Sequence, residues 1–208
     1  MTNPDLTRLV IVADRSGSMH DIAGDMNGAI LQLLAEQATQ PGTVLVDIVT
    51  FDDKIEYPYK AAKPKQIGDQ IIRPRGSTAL NDALGLTISK LGAELSSLDE
   101  ADRPGHVVIV VVTDGMENAS REYTAQQIQK MVTEQTEQWG WTFLYLAANV
   151  DAFATGRAYG FAPGQTISYA ADSDGANSVI ATASAGVTRT RSGLAADFTD
   201  EEREAAHS

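Results

Sequence analysis

The 208-residue chain has no cysteine, so disulfides, thiolate metal sites and thiol nucleophiles are all excluded. Aromatic residues make up only 6% of it, and no apolar run approaches the ~20 residues needed to cross a bilayer. No apolar segment of signal-peptide length stands at the N-terminus, so the expected setting is soluble and cytoplasmic. Basic residues are few: 16 Lys and Arg stand against 28 Asp and Glu, a net charge of −12. A chain so acidic lacks the basic footprint that phosphate backbones require, which argues against nucleic acid and anionic membranes as main ligands. Neither a Gly-x-x-x-x-Gly-Lys phosphate loop nor a Gly-x-Gly-x-x-Gly dinucleotide turn is present. The three histidines, His20, His106 and His207, fall on separate predicted elements. Internal repeats and low-complexity linkers are also missing.

What is there begins with Leu9, Val10, Ile11, Val12 and Ala13, a continuous apolar run that reads as a strand buried on both faces of a parallel sheet. A helix is expected over 21–39, with Met26, Ala29, Ile30, Leu33 and Leu34 on one face, ended by Pro41-Gly42. A strand follows over 44–51, then a hairpin turn at Asp52-Asp53 and an antiparallel edge partner over 54–59. A short helix is expected near 67–71, and a long amphipathic one is marked by Leu80, Leu84, Ile88, Leu91 and Leu95. Further strands are expected at 106–113, 141–147 and 166–169, and further helices at 124–138, 151–160 and 174–188. This alternation predicts an α/β, Rossmann-like, doubly wound sheet of about six strands, mostly parallel, with one antiparallel edge hairpin and helices on both faces. With 43% hydrophobic residues, one core and one domain over 1–192 are expected. Residues 193–208 form an acidic tail in which Thr199 and Glu202 write a capping box, predicting a short helix docked by Phe198 or frayed. A partner-binding tail is the alternative.

The chemistry concentrates where strands end. Asp14, Ser16 and Ser18 place a carboxylate and two hydroxyls on the turn after the first strand, at the carboxyl edge where open α/β sheets gather ligands. Thr78, after Gly76, offers a third hydroxyl on a turn leading into a helix, and Asp114 ends the 107–113 strand as Asp14 ends the first. All five are hard oxygen donors, the set preferred by magnesium, manganese or calcium rather than zinc or copper. Two carboxylates balance a dication, while hydroxyls and waters complete six-fold coordination, which suits magnesium best. An ordinary helix N-cap is the alternative for the turn of Asp14, Ser16 and Ser18 taken alone.

With these residues in order, the chain resembles the von Willebrand factor type A family, whose metal-ion-dependent adhesion site follows the pattern Asp-x-Ser-x-Ser, then Thr, then Asp. The pattern is met by Asp14, Ser16, Ser18, Thr78 and Asp114, and the resemblance extends from about Leu6 to about Thr190. It implies a bacterial or phage-type intracellular domain that binds Mg2+, with Mn2+ or Ca2+ as alternatives. The metal's open position would accept an Asp or Glu from a partner protein. Bacterial members often sit beside chaperone-like ATPases or stress-resistance modules, so an adaptor is the implied role.

Arg15, Arg73, Arg75 and Arg121 fall in loops placed at the same edge, with Arg157 near them, and could bind the partner's carboxylate in bidentate fashion. That reading predicts that Arg75→Ala weakens partner binding and leaves metal affinity unchanged. The alternative is that these arginines pair with Asp21, Asp52, Asp53 or Glu117 and only stabilise loops. Enzymatic readings are disfavoured. A phosphotransferase of this type would want a second acid at position 16, which is Ser, and Ser16 and Ser18 lack a base. A metal-dependent hydrolase is a weaker alternative, and a structural or virion-associated protein whose cation only rigidifies loops is the rival from another class.

Overall fold

In the computed structural model, which describes residues 1–148 and 151–207, a six-stranded sheet runs through the middle of the molecule. The strands are β1 (Asn3–Asp14), β2 (Thr43–Phe51), β3 (Ile55–Ala62), β4 (Pro104–Thr113), β5 (Thr142–Ala147) and β6 (Thr166–Ser168). Their spatial order is β3-β2-β1-β4-β5-β6. All neighbours are parallel except β2 and β3, which form the antiparallel edge hairpin. The helices are α1 (Ala23–Thr39), α2 (Leu80–Ser97), α3 (Ala125–Trp139), α4 (Ala152–Ala158), α5 (Ser173–Arg191) and α6 (Asp200–Ala205).

The alternation of the central strand divides the core in two. Leu9, Ile11 and Ala13 join α1 and α5 residues on one face, while Val10 and Val12 join those of α2, α3 and α4 on the other. Both faces of β1 are thus covered, which is why its sequence is an unbroken apolar run rather than an alternating one. The chain steps outward from β1 to β2 and β3, then crosses back through α2 to β4 on β1's other side. The order therefore reverses between β1 and β4. The connection after β1 leads to α1 on one face and that after β4 to α3 on the other, leaving a crevice at their carboxyl ends.

One expected element is not formed. In place of a helix at 67–71 there is a single 3-10 turn at Pro64–Gln66, and the segment that follows has no regular structure. Ile67, Ile71 and Ile72 are nevertheless buried in the α1-side core. Asn27 of α1 fixes them by accepting from Ile72 N at 2.7 Å and donating to Ile72 O at 3.0 Å. The apolar spacing recorded docking on α1, not a helical period. β3 also runs to Ala62 rather than ending at Tyr59, with register shifts against β2.

The tail is docked. Ala196, Phe198 and Ala206 are buried, and Arg189 of α5 pairs with both carboxylate oxygens of Glu202 at 2.9 and 3.1 Å. Arg203 donates to Thr166 O at 2.6 Å and Ala170 N donates to Ala206 O at 2.9 Å, so α6 lies along the outer edge of β6. Ser208, its last residue, lies outside the described residues.

Candidate metal centre

Asp14 closes β1 and is fully inaccessible to solvent. Its Oδ1 accepts Ser16 N at 2.7 Å, a turn that buries Ser16 ahead of a 3-10 turn (Gly17–Asp21) in which only Met19 is buried. Its Oδ2 accepts Thr113 Oγ1 at 2.6 Å, so the end of β4 orients the carboxylate delivered by β1. Asp114, one residue further along, accepts Ser18 Oγ at 2.7 Å, and the Ser16 and Ser18 hydroxyls lie 3.0 Å apart. Thr78 is buried just before α2, its N donating to Asn118 Oδ1 at 2.9 Å and its carbonyl accepting from Asn118 and Ala119. Its hydroxyl has no hydrogen-bond partner among the described residues.

Gly115 reports the convergence directly. A β-carbon there would lie 3.3 Å from Thr78 Oγ1, 3.5 Å from Ser18 Oγ and 4.0 Å from Asp14 Oδ2. Oxygens from the Asp14 and Thr78 loops, far apart in sequence, therefore surround one small space beside Asp114, which a side chain at position 115 would fill. All five predicted donors are brought together.

The electrostatics leave this cluster short of positive charge. Burial raises the Asp14 pKa to about 6, only partly offset by bonds from Thr113 and Ser16, with Asp114 adding repulsion. Burial raises Asp114 as well, against the bond from Ser18. No cationic side chain contributes to either shift. Two carboxylates desolvated together without a counter-charge are an arrangement that a dication satisfies. Among the described residues no three carboxylate, imidazole or thiolate groups meet at one point. The candidate site has two carboxylates and three hydroxyls, a donor set suited to magnesium, manganese or calcium and unsuited to zinc.

The arginines divide. Arg15 is buried and donates to Asp52 Oδ2 at 3.1 Å and Glu56 Oε2 at 2.6 Å. Arg75, half-exposed, donates to the same two carboxylates at 2.5 and 2.7 Å. Asp52 is an internal partner that the sequence suggests, whereas Glu56 is not. Arg73 and Arg121 are exposed, and neither side chain makes an ion pair among the described residues.

Sequence reasoning missed the residues that hold the third loop. Asp82, in the first turn of α2, accepts the backbone N–H groups of Arg121, Glu122 and Tyr123 at 2.7–2.9 Å. Glu117 accepts Asn81 N at 2.8 Å and the Ala119 and Ser120 amides, placing its carboxylate over the α2 N-terminus. An acid in the first turn of a helix is a readable signal, but its partners are not. Beside the centre, Gly115, Met116, Leu80, Ala154 and Tyr159 line a cleft of about 360 Å³, and Met116 is 74% exposed at its rim.

Neither protein-family models nor curated proteins match the sequence. Solved structures do. Proximal thread matrix protein 1 from the mussel byssus superposes with a TM-score of 0.61 at 13% identity, over 85% of this chain and 44% of that one. A von Willebrand factor type A protein from Catenulispora acidiphila gives 0.60 at 12%, over 88% and 42%. Manganese-loaded TRAP protein of Plasmodium vivax gives 0.58 at 12%, over 84% and 72%. The chain thus spans less than half the length of the first two. At these identities the likeness defines the architecture alone: this is a von Willebrand factor type A fold.

Proposed function

We propose that the chain is a divalent-cation-dependent protein-recognition domain. Asp14, Ser16, Ser18, Thr78 and Asp114 would hold the ion, Mg2+ first, with Mn2+ or Ca2+ able to replace it. The bound ion would supply an open coordination position for an Asp or Glu carboxylate of a partner protein. The observation that carries this reading is the convergence of oxygens from the Asp14 and Thr78 loops around Gly115, with Asp114 of the Gly115 loop bonded to Ser18. The charge deficit at Asp14 and Asp114 supports it, as does the manganese-loaded state of one structural relative. The exposed Arg73 and Arg121 are free to meet an anionic partner surface. Arg15 and Arg75 would have to leave Asp52 and Glu56 to do so.

Binding rather than catalysis is proposed because position 16 is Ser and, among the described residues, no histidine side chain bonds to the cluster. A cytoplasmic adaptor role beside an ATPase or a stress-resistance module is part of the same proposal. It rests on the motif resemblance, together with the lack among the described residues of any helix long and apolar enough to cross a membrane.

The test has two stages. Titration with Mn2+ alone should reveal one site in the wild type and none in Asp14→Ala; equal binding by both would refute the site. Affinity capture with each bait, with and without chelator, should then recover a partner only with wild type and metal. If chelator lowers thermal stability but leaves capture intact, the cation only rigidifies loops and the recognition role is wrong.

A further inference from the structure

Asp52 is not among the candidate donors, yet its Oδ2 and its main-chain carbonyl tie down two loops that carry them, while its Oδ1 fixes its own hairpin turn. It follows β2 and is fully buried. Its Oδ2 accepts Arg15 Nε at 3.1 Å and Arg75 Nε at 2.5 Å, and its Oδ1 accepts Lys54 N at 2.6 Å. Its main-chain carbonyl accepts Ala79 N at 2.8 Å. Arg15 stands between Asp14 and Ser16, Arg75 three residues before Thr78, and Ala79 just after it. The two loops also bond to each other, Arg75 N to Arg15 O at 2.7 Å and Gly17 N to Gly76 O at 3.2 Å. Gly76 adopts φ +68°, and a β-carbon there would lie 2.8 Å from Asp53 Oδ1 and 3.2 Å from Asp52 Cβ, so the loop is pressed against this turn.

We propose that Asp52 is the positioning residue of the candidate centre, setting the loop of Asp14, Ser16 and Ser18 against the loop of Thr78 through two guanidiniums. This rests on the metal-binding reading above. Donors carried on separate loops bind an ion tightly only when groups behind them fix their separation to a fraction of an ångström. Asparagine cannot substitute. Asp52 accepts three N–H groups with two oxygens, and an amide would turn its own N–H2 toward either Lys54 N or both arginines. Glu56 supplies the internal contrast: it accepts the same two arginines at 2.6 and 2.7 Å, but it is half-exposed, and water or a glutamine oxygen can replace it.

Mn2+ titration by calorimetry, paired with thermal melting in chelator, decides the matter on wild type, D52N, R75A, E56Q and D14A. Affinity should fall about 10–100-fold in D52N, the range for groups behind metal ligands. R75A should weaken binding in the same direction, opposite to the unchanged affinity expected if Arg75 served only a partner. E56Q should stay within about threefold. If D52N does not fold, R75A, altered at a half-exposed side chain, carries the decision. Lower melting temperatures with wild-type Mn2+ affinity in D52N and R75A would overturn the proposal, because a merely structural residue moves stability alone. Equal binding by wild type and D14A would instead overturn the metal reading itself, and this proposal with it.

Discussion

Replacing Asp14 by asparagine should make the metal-free protein more stable while abolishing cation binding. In the folded state burial raises the Asp14 pKa from 3.8 to about 6, and each unit corresponds to about 1.4 kcal/mol. Ionised Asp14 therefore costs the empty fold about 3 kcal/mol at pH 7. Asparagine keeps the shape without the charge. Its oxygen can still accept Ser16 N, while Thr113 Oγ1, now facing an amide N–H2, must turn to accept; that rearrangement costs about 1 kcal/mol. The net gain is about 2 kcal/mol, or roughly 4–8 °C in melting temperature for a chain of this size.

The sign follows from proton linkage. Between pH 4 and 6 the folded state holds a proton at Asp14 that the unfolded chain has released, so wild-type stability from this group falls as pH rises through that window. The Asp14→Asn protein lacks this slope. Its advantage should be present at pH 7 in chelator and gone at pH 4. Millimolar Mg2+ should raise the melting temperature of the wild type and leave the variant unmoved. A variant less stable than wild type at pH 7 in chelator, or one with an equal magnesium response, would refute the idea that the site stores uncompensated charge.

Other consequences can be checked separately. Bonds from Arg15 and Arg75 hold the Glu56 pKa down at about 2, and those from Arg75, Lys54 and Arg15 outweigh burial to lower Asp52. The stability they contribute is present above the ordinary carboxylate range and lost as pH falls toward 2, so acid should release the hairpin and both donor loops; hydrogen exchange at Lys54 and Ala79 is the readout. Asp82→Ala strips three backbone N–H groups of their acceptor and should cost about 1–3 kcal/mol, with amide protection lost at 121–123 before the core opens. Unchanged exchange there would show that the loop is held by other contacts. Phe198→Ala should cost about 3–5 kcal/mol, because the ring is buried under α5; a change below 1 kcal/mol would mean the tail is not docked in solution.

The sequence by itself determined the layers and the candidate donors. Unbroken, β-branched-rich apolar runs at 9–13 and 107–112 read as strands covered on both sides, and the helical spacing between them sets the alternation. The candidate donors were legible too, because a strand-ending Asp followed by alternate hydroxyls carries its geometry in local turn chemistry; Ser16 N donates to Asp14 at 2.7 Å. The tertiary structure alone decided whatever depends on pairing across the chain. Ile67, Ile71 and Ile72 imitate a helical face, and only their burial against α1 explains them. Whether Arg15 and Arg75 face a partner or an internal carboxylate turns on where the β2–β3 hairpin brings Asp52 and Glu56, 37 and 41 residues beyond Arg15. The physical reason is range: turn chemistry and apolar periodicity act within a few residues, whereas the charge balance of a buried site is set by side chains that only folding brings within a few ångströms.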